Sequence, residues 1–162
     1  MMTQALRQFF GDTNWDELDY LLIDLPPGTS DIHLTLVQLI KLTGAVIVTT
    51  PQKVALSDAT KGLQFFKQNG INVPILGLVE NMAYFTPAEL PDNKYYLFGK
   101  DGGKELATKY NVPFLGEVPL VQGIREAGDA GKPIAAEEGP TSEAFGQIAA
   151  NLAQQIAINN AK

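Results

Sequence analysis

The chain has 162 residues, 45% of them hydrophobic, which fits one domain with a sizeable core, so residues 1–162 are expected to form a single domain. A formal charge of -6 with no basic run excludes a nucleic-acid surface, which needs clustered Lys and Arg, and the absence of cysteine excludes a disulfide framework. No apolar stretch approaches the ~20 residues that span a bilayer, and residues 1–7 lack the apolar centre of a signal peptide, so no membrane role and a cytoplasmic location are expected.

Leu6, Phe9 and Phe10 share one face of a predicted helix, which Gly11-Asp12-Thr13-Asn14 ends with turn chemistry. Residues 15–18 then lead into Asp19-Tyr20-Leu21-Leu22-Ile23-Asp24-Leu25-Pro26-Pro27-Gly28-Thr29-Ser30-Asp31, around which the rest is organised. Its apolar residues run straight into Asp24 without polar alternation, the pattern of a strand buried on both faces of a parallel sheet. Asp24 then stands at the strand's carboxyl end, where the ligand crevice of an open α/β sheet lies, and a carboxylate there suits a hydrated cation. Pro26 and Pro27 stiffen the loop and remove two N–H donors, whereas Gly28 restores one. A stiff loop with a free N–H beside a magnesium-binding acid is suited to detect a terminal phosphate. Thr29, Ser30 and Asp31 are candidate caps for a helix over 32–42, in which Ile32, Leu36, Leu39 and Ile40 fall at helical spacing. His33, the only histidine, is expected at the surface or as a cap.

With Asp24-Leu25-Pro26-Pro27-Gly28-Thr29 on the page, the chain resembles the Mrp/ApbC-type ATPases, P-loop proteins related to the MinD and nitrogenase-iron-protein group and iron-sulfur cluster carriers. In that family this hexapeptide is the Walker B acid running into the switch II loop. The resemblance implies that Asp24 holds Mg²⁺ through water, that Asp24 and Gly28 are catalytic, and that Pro27, Gly28 and Thr29 face the γ-phosphate of ATP.

Residues 44–50 form a predicted β-branched strand that Pro51 stops, and 55–69 a predicted helix carrying Ala59, Leu63, Phe66 and Lys67, with Gly70 as its C-cap. A strand over 75–79 delivers Glu80-Asn81-Met82 to the sheet's carboxyl edge. An Asn there offers a donor and an acceptor to a base edge, as adenine recognition requires, although an isolated Asn is also a turn former. In Mrp-like proteins this strand ends in Glu-Asn-Met, and the resemblance places Asn81 beside the base.

Residues 83–104 lack clear periodicity and interleave Pro87, Pro91, Gly99, Gly102 and Gly103 with Tyr84, Phe85, Tyr95, Tyr96 and Phe98. Such aromatics serve either as a partner surface or as anchors of a long loop over the sheet. Most Mrp-type proteins carry Cys-x-x-Cys soon after the Asn-Met, through which two subunits share a cluster. Here Tyr84-Phe85-Thr86-Pro87-Ala88-Glu89-Leu90 stands instead, so no iron-sulfur ligand is present and carriage by the usual thiolates is not expected.

Gly102-Gly103 lacks the Gly-Lys-Ser/Thr ending of a phosphate loop and reads as the start of a helix over 104–110. A fourth strand covers 114–118, and related ATPases frame adenine with the backbone that follows, which the resemblance carries to Pro119 and Leu120. A short helix over 124–130 stops at Gly131-Lys132-Pro133, and its Arg125 and Glu126 are expected to form a surface ion pair. The last helix begins around 140–143 and sets Phe145, Ile148, Leu152 and Ile156 as a core-facing stripe, with Gln147, Asn151, Gln154 and Gln155 as a neutral polar face.

Four buried strands alternating with helices predict an α/β fold, a parallel sheet flanked by helices. No Gly-x-x-x-x-Gly-Lys-Ser/Thr occurs, so the cradle for an ATP triphosphate is not in this sequence. The resemblance therefore implies a partial P-loop NTPase, a Rossmann-like three-layer fold lacking the Walker A strand and loop. On this reading the chain is the carboxyl-terminal portion of an ATPase domain, a fragment or a gene truncated at Met1. A missing central strand leaves open edges, so dimerisation or edge pairing is expected, in keeping with the family's homodimers.

The expected function is ATP binding and hydrolysis in iron-sulfur cluster assembly or transfer, with ATP and Mg²⁺ as cofactors and iron-sulfur apoproteins as clients, and without activity until the upstream loop completes it. Two alternatives stand beside it. One is a non-catalytic interaction module offering the aromatic loop over 84–98; the other is a MinD/ParA-like positioning ATPase, against which the neutral last helix argues.

Overall fold

The computed structural model describes residues 2–29, 31–87, 89–90 and 92–161. It falls into two compact units, Met1–Leu42 and Thr43–Lys162. Of the features predicted above, Ser30, Ala88 and Pro91 lie outside the described residues.

In the first unit, helix α1 (Met2–Gly11) and helix α2 (Asp31–Leu39) pack against one another. Phe9 meets Phe10 and Trp15 edge-on, at ring-centroid distances of 5.4 and 5.5 Å. The stretch predicted as the organising strand forms no regular element and pairs with no strand among the described residues. Tyr20 is 58%, Leu21 44% and Leu22 80% exposed. An apolar run states the environment a segment needs, yet a ladder also needs a neighbour that supplies N–H and C=O groups. The predicted count of four strands is thus corrected to three. His33 is corrected as well: with Leu36 one turn on, it lies on the buried side of α2 rather than at the surface.

The second unit is a three-stranded parallel sheet of β1 (Ala45–Thr49), β2 (Ile75–Phe85) and β3 (Phe114–Leu120), in the order β1-β2-β3. Helices α3 (Lys53–Lys67) and α4 (Gly102–Tyr110) connect successive strands, as parallel neighbours require. Helix α5 (Gln122–Asp129), a 3₁₀ turn (Ile134–Ala136) and helix α6 (Pro140–Asn160) follow. Helix α3 ends two residues earlier than predicted, with Gln68 as its C-cap and Gly70 in the turn beyond, at φ +93°.

Side chains alternate across β2, and the alternation sorts the layers. Leu78 and Glu80 face α4, where a Cβ at Gly103 would touch both. Val79 points the other way into a cluster with Leu115 and Val118, against which Phe145, Ile148 and Leu152 of α6 pack as the stripe predicted. Asn151, expected on the polar face, instead donates from Nδ2 to the Leu115 carbonyl at 2.8 Å and ties α6 to β3. On α5, Arg125 pairs with Glu126 at 3.3 Å and Asp129 at 2.8 Å, an exposed arrangement of the predicted kind.

Gly77 is a slot in the central strand. A Cβ there would lie 2.7 and 2.9 Å from the two methyls of buried Leu115. Gly77→Ala is therefore expected to destabilise the protein by about 1–3 kcal/mol through overpacking. A lower urea midpoint at unchanged m-value is the expected reading, and an unmoved midpoint would show the slot to be loose.

Candidate functional site

The residues singled out in the sequence divide between the two units. In the first, Asp24, Pro27, Gly28 and Thr29 occupy an exposed segment running into α2, which begins at Asp31. Gly28 adopts φ +92°, a backbone that L side chains rarely take, and open space surrounds its Cα. Among the described residues, no three His, Cys, Asp or Glu side chains gather into a metal cage. Magnesium does not need one: it keeps several waters and is held by one or two carboxylates together with substrate phosphates. The exposed carboxylate of Asp24 is a hard oxygen donor of the kind that suits it. An iron-sulfur cluster is another matter. These 162 residues contain no thiolate to ligate one, so the donor set does not fit.

In the second unit, parallel pairing of β2 with β3 assembles the other predicted residues. Asn81 lies opposite Val118, and Phe85 opposite Leu120. The carboxyl edge of the sheet thereby holds Asn81 beside Val118-Pro119-Leu120, with Pro119 buried and Leu120 half-buried. Asn81 Oδ1 accepts the Met82 N–H at 2.9 Å, and Met82 takes a left-handed conformation at φ +52°. This local bond fixes the carboxamide while leaving its NH₂ donors and a second Oδ1 lone pair for a base edge.

Glu80, the residue before Asn81, is only 1% exposed. Its Oε2 accepts the Gly103 N–H at the start of α4. Its carboxyl is raised above the ordinary value, first by burial and then by the like charges of Glu117, Asp101 and Glu105, while the Gly103 bond opposes the shift. The sequence signals were a Glu ending an apolar run and a Gly-Gly pair whose second glycine lies 23 residues later, but nothing in their spacing links them.

The aromatic segment is held by a short antiparallel bridge between Phe85 and Tyr95. Lys94 Nζ sits 3.9 Å from the Tyr84 ring centre and Lys100 Nζ 5.0 Å from that of Tyr96. Tyr84 and Phe85 are half-buried anchors, whereas Tyr95, Tyr96 and Leu97 are exposed. No helix among the described residues is long and apolar enough to cross a membrane.

The family model described as "ParA: NUBPL iron-transfer P-loop NTPase" matches residues 1–155. The iron-sulfur cluster carrier protein of Synechocystis sp. is 49% identical over 160 residues, which cover 98% of this chain and 45% of that protein. The iron-sulfur cluster transfer protein NUBPL of Dictyostelium discoideum is 44% identical over 162 residues, covering 99% of this chain and 49% of its own length. The chain therefore spans about half the length of these curated relatives. Among solved structures, the nucleotide-binding protein from Archaeoglobus fulgidus, in complex with ADP, matches at a TM-score of 0.74 and 41% identity, over 86% of this chain and 56% of that one. The cell division ATPase MinD of Pyrococcus furiosus shares the fold at a TM-score of 0.63 and 22% identity, over 94% of this chain and 57% of its own. On the match over residues 1–155, this chain belongs to the ParA-type family of NUBPL iron-transfer P-loop NTPases.

Proposed function

We propose that the chain is the carboxyl-terminal portion of an ATP-binding and ATP-hydrolysing domain that serves iron-sulfur cluster assembly or transfer. The observation that carries this reading is the meeting of Asn81 with Val118-Pro119-Leu120 at the carboxyl edge of adjacent parallel strands. Ligands of open α/β sheets bind at that edge. In this reading Asn81 hydrogen-bonds the edge of adenine, and Pro119 and Leu120 frame the ring. Asp24 holds Mg²⁺ through water, and Pro27, Gly28 and Thr29 face the γ-phosphate. Magnesium, when bound, offsets the charge of the phosphates. The triphosphate cradle belongs to the length by which the relatives exceed this chain. A cytoplasmic homodimer and apoprotein clients complete the proposal, and a strict monomer on gel filtration at high concentration would count against the dimer.

The test joins this chain in frame to the amino-terminal part of the Synechocystis carrier. The folded chimera is expected to bind Mg-ADP at about micromolar Kd. Asn81→Ala is expected to weaken that binding roughly tenfold, the worth of about one well-placed hydrogen bond. A folded chimera without affinity for nucleotide would sink the reading, and an Asn81→Ala variant with unaltered Kd would sink the base contact.

The exposed Tyr95, Tyr96 and Leu97 favour a second reading, a non-catalytic module that offers this surface to another protein. A chimera that ignores nucleotide yet depends on these side chains to hold a client apoprotein would establish it.

A further inference from the structure

The chain between β2 and α4 is fastened to the sheet at three places. Phe85 and Tyr95 exchange backbone hydrogen bonds of 2.8 and 2.9 Å. Gly99 and Gly102 press on Pro51, just beyond β1, so closely that a Cβ would lie 3.3 and 2.8 Å from its carbonyl oxygen. The third fastening is the Gly103 N–H donating to the buried Glu80 carboxyl. Asp101, two residues before Gly103, is in the left-handed conformation at φ +58°, which costs free energy unless its surroundings hold it there. Of the three, only the third is made by an ionisable side chain; the first two are backbone contacts.

We infer that Glu80 is a pH-sensitive latch: when protonated it holds the start of α4 and the segment from Tyr95 to Gly103 against β2, and when ionised it releases them. The groups that face it give the direction. Strand β3 brings Glu117 directly opposite, the start of α4 brings Asp101 and Glu105, and β1 brings uncharged Thr49. The Gly103 N–H favours the carboxylate, but burial and three like charges outweigh it, so the folded carboxyl is raised above 4.5. A raised carboxyl stabilises the closed form fully below the unfolded value of 4.5, and that contribution fades as the pH climbs through the higher folded value. Opening bares Tyr95, Tyr96 and Leu97 further. The inference stands apart from the nucleotide reading.

Hydrogen exchange of the full chain, followed from pH 4.5 to neutrality, tests it. In the parent, protection factors from Tyr95 to Gly103 are expected to fall about tenfold across this range as Glu80 ionises. Those of α6 should hold steady. Glu80→Gln keeps an acceptor without a charge, so its Tyr95–Gly103 protection should stay high and flat. Glu80→Ala loses the acceptor and should be open at every pH; if it does not fold, the Gln comparison decides alone. Parallel pH profiles in the parent and Glu80→Gln, or a Gln variant open throughout, would overturn the latch.

Discussion

Asp24→Asn is expected to lower Mg-ATP turnover of the chimera by about a hundredfold or more, while its thermal unfolding stays where it was. Asp24 is exposed and takes part in no ion pair among the described residues, so the fold does not draw on its charge. Asparagine keeps the size and the carbonyl oxygen but removes the negative charge that, on the proposed reading, holds a hydrated Mg²⁺ near the phosphates. Electrostatic help from such a metal is worth several kcal/mol, and about 3 kcal/mol corresponds to roughly a hundredfold in rate. Phosphate release under saturating ATP measures the loss, and a magnesium titration should show a raised requirement. Turnover equal to the parent's would remove Asp24 from the metal site.

Leu78→Ala is expected to have the largest effect on stability, about 3–5 kcal/mol. Leu78 is 0% exposed in the central strand, with Glu80 two residues on and Gly103 pressed against its methyl. Truncation removes apolar contact on the α4 face and leaves a void that β2, paired on both sides, is poorly placed to collapse. Urea denaturation checks the magnitude. A loss near 1 kcal/mol would mean that α4 settles into the gap. Such a loss is a large fraction of the stability of a domain this size, so the variant should also express poorly at elevated temperature.

The elements of the second unit were legible because their apolar positions follow the periods of helix and strand. Leu63 and Phe66 one turn apart, or Phe145, Ile148 and Leu152 along α6, state both the element and its buried face. The neighbouring of Asn81 with Val118-Pro119-Leu120 followed from the same logic, although both strands run past their predicted ends, β2 to Phe85 and β3 to Leu120. Four features were not legible. The run before Asp24 has a buried strand's composition, but composition does not supply its partner. The burial of His33 depends on which side of α2 is covered, and a polar ring beside Leu36 signals either side. The Glu80–Gly103 contact joins residues far apart in sequence, and only the folded backbone brings them together. Likewise, β2 runs on to Phe85 because Tyr95 returns to bridge it, a pairing that local propensity cannot encode.

The arrangement of the sheet also bears on how the molecule is made. Every ladder in it joins strands separated by a helix, and among the described residues β1 pairs on one side alone, with Val48 60% exposed. Parallel ladders of this kind close large chain loops before any contact rewards them, which slows folding and prolongs the life of partly formed species. During that interval the bare flank of β1 is a template on which a second nascent chain can pair. Yield of soluble protein should accordingly fall as the rate of synthesis rises and recover when it is slowed, a kinetic behaviour set by topology rather than by the stability of the finished fold.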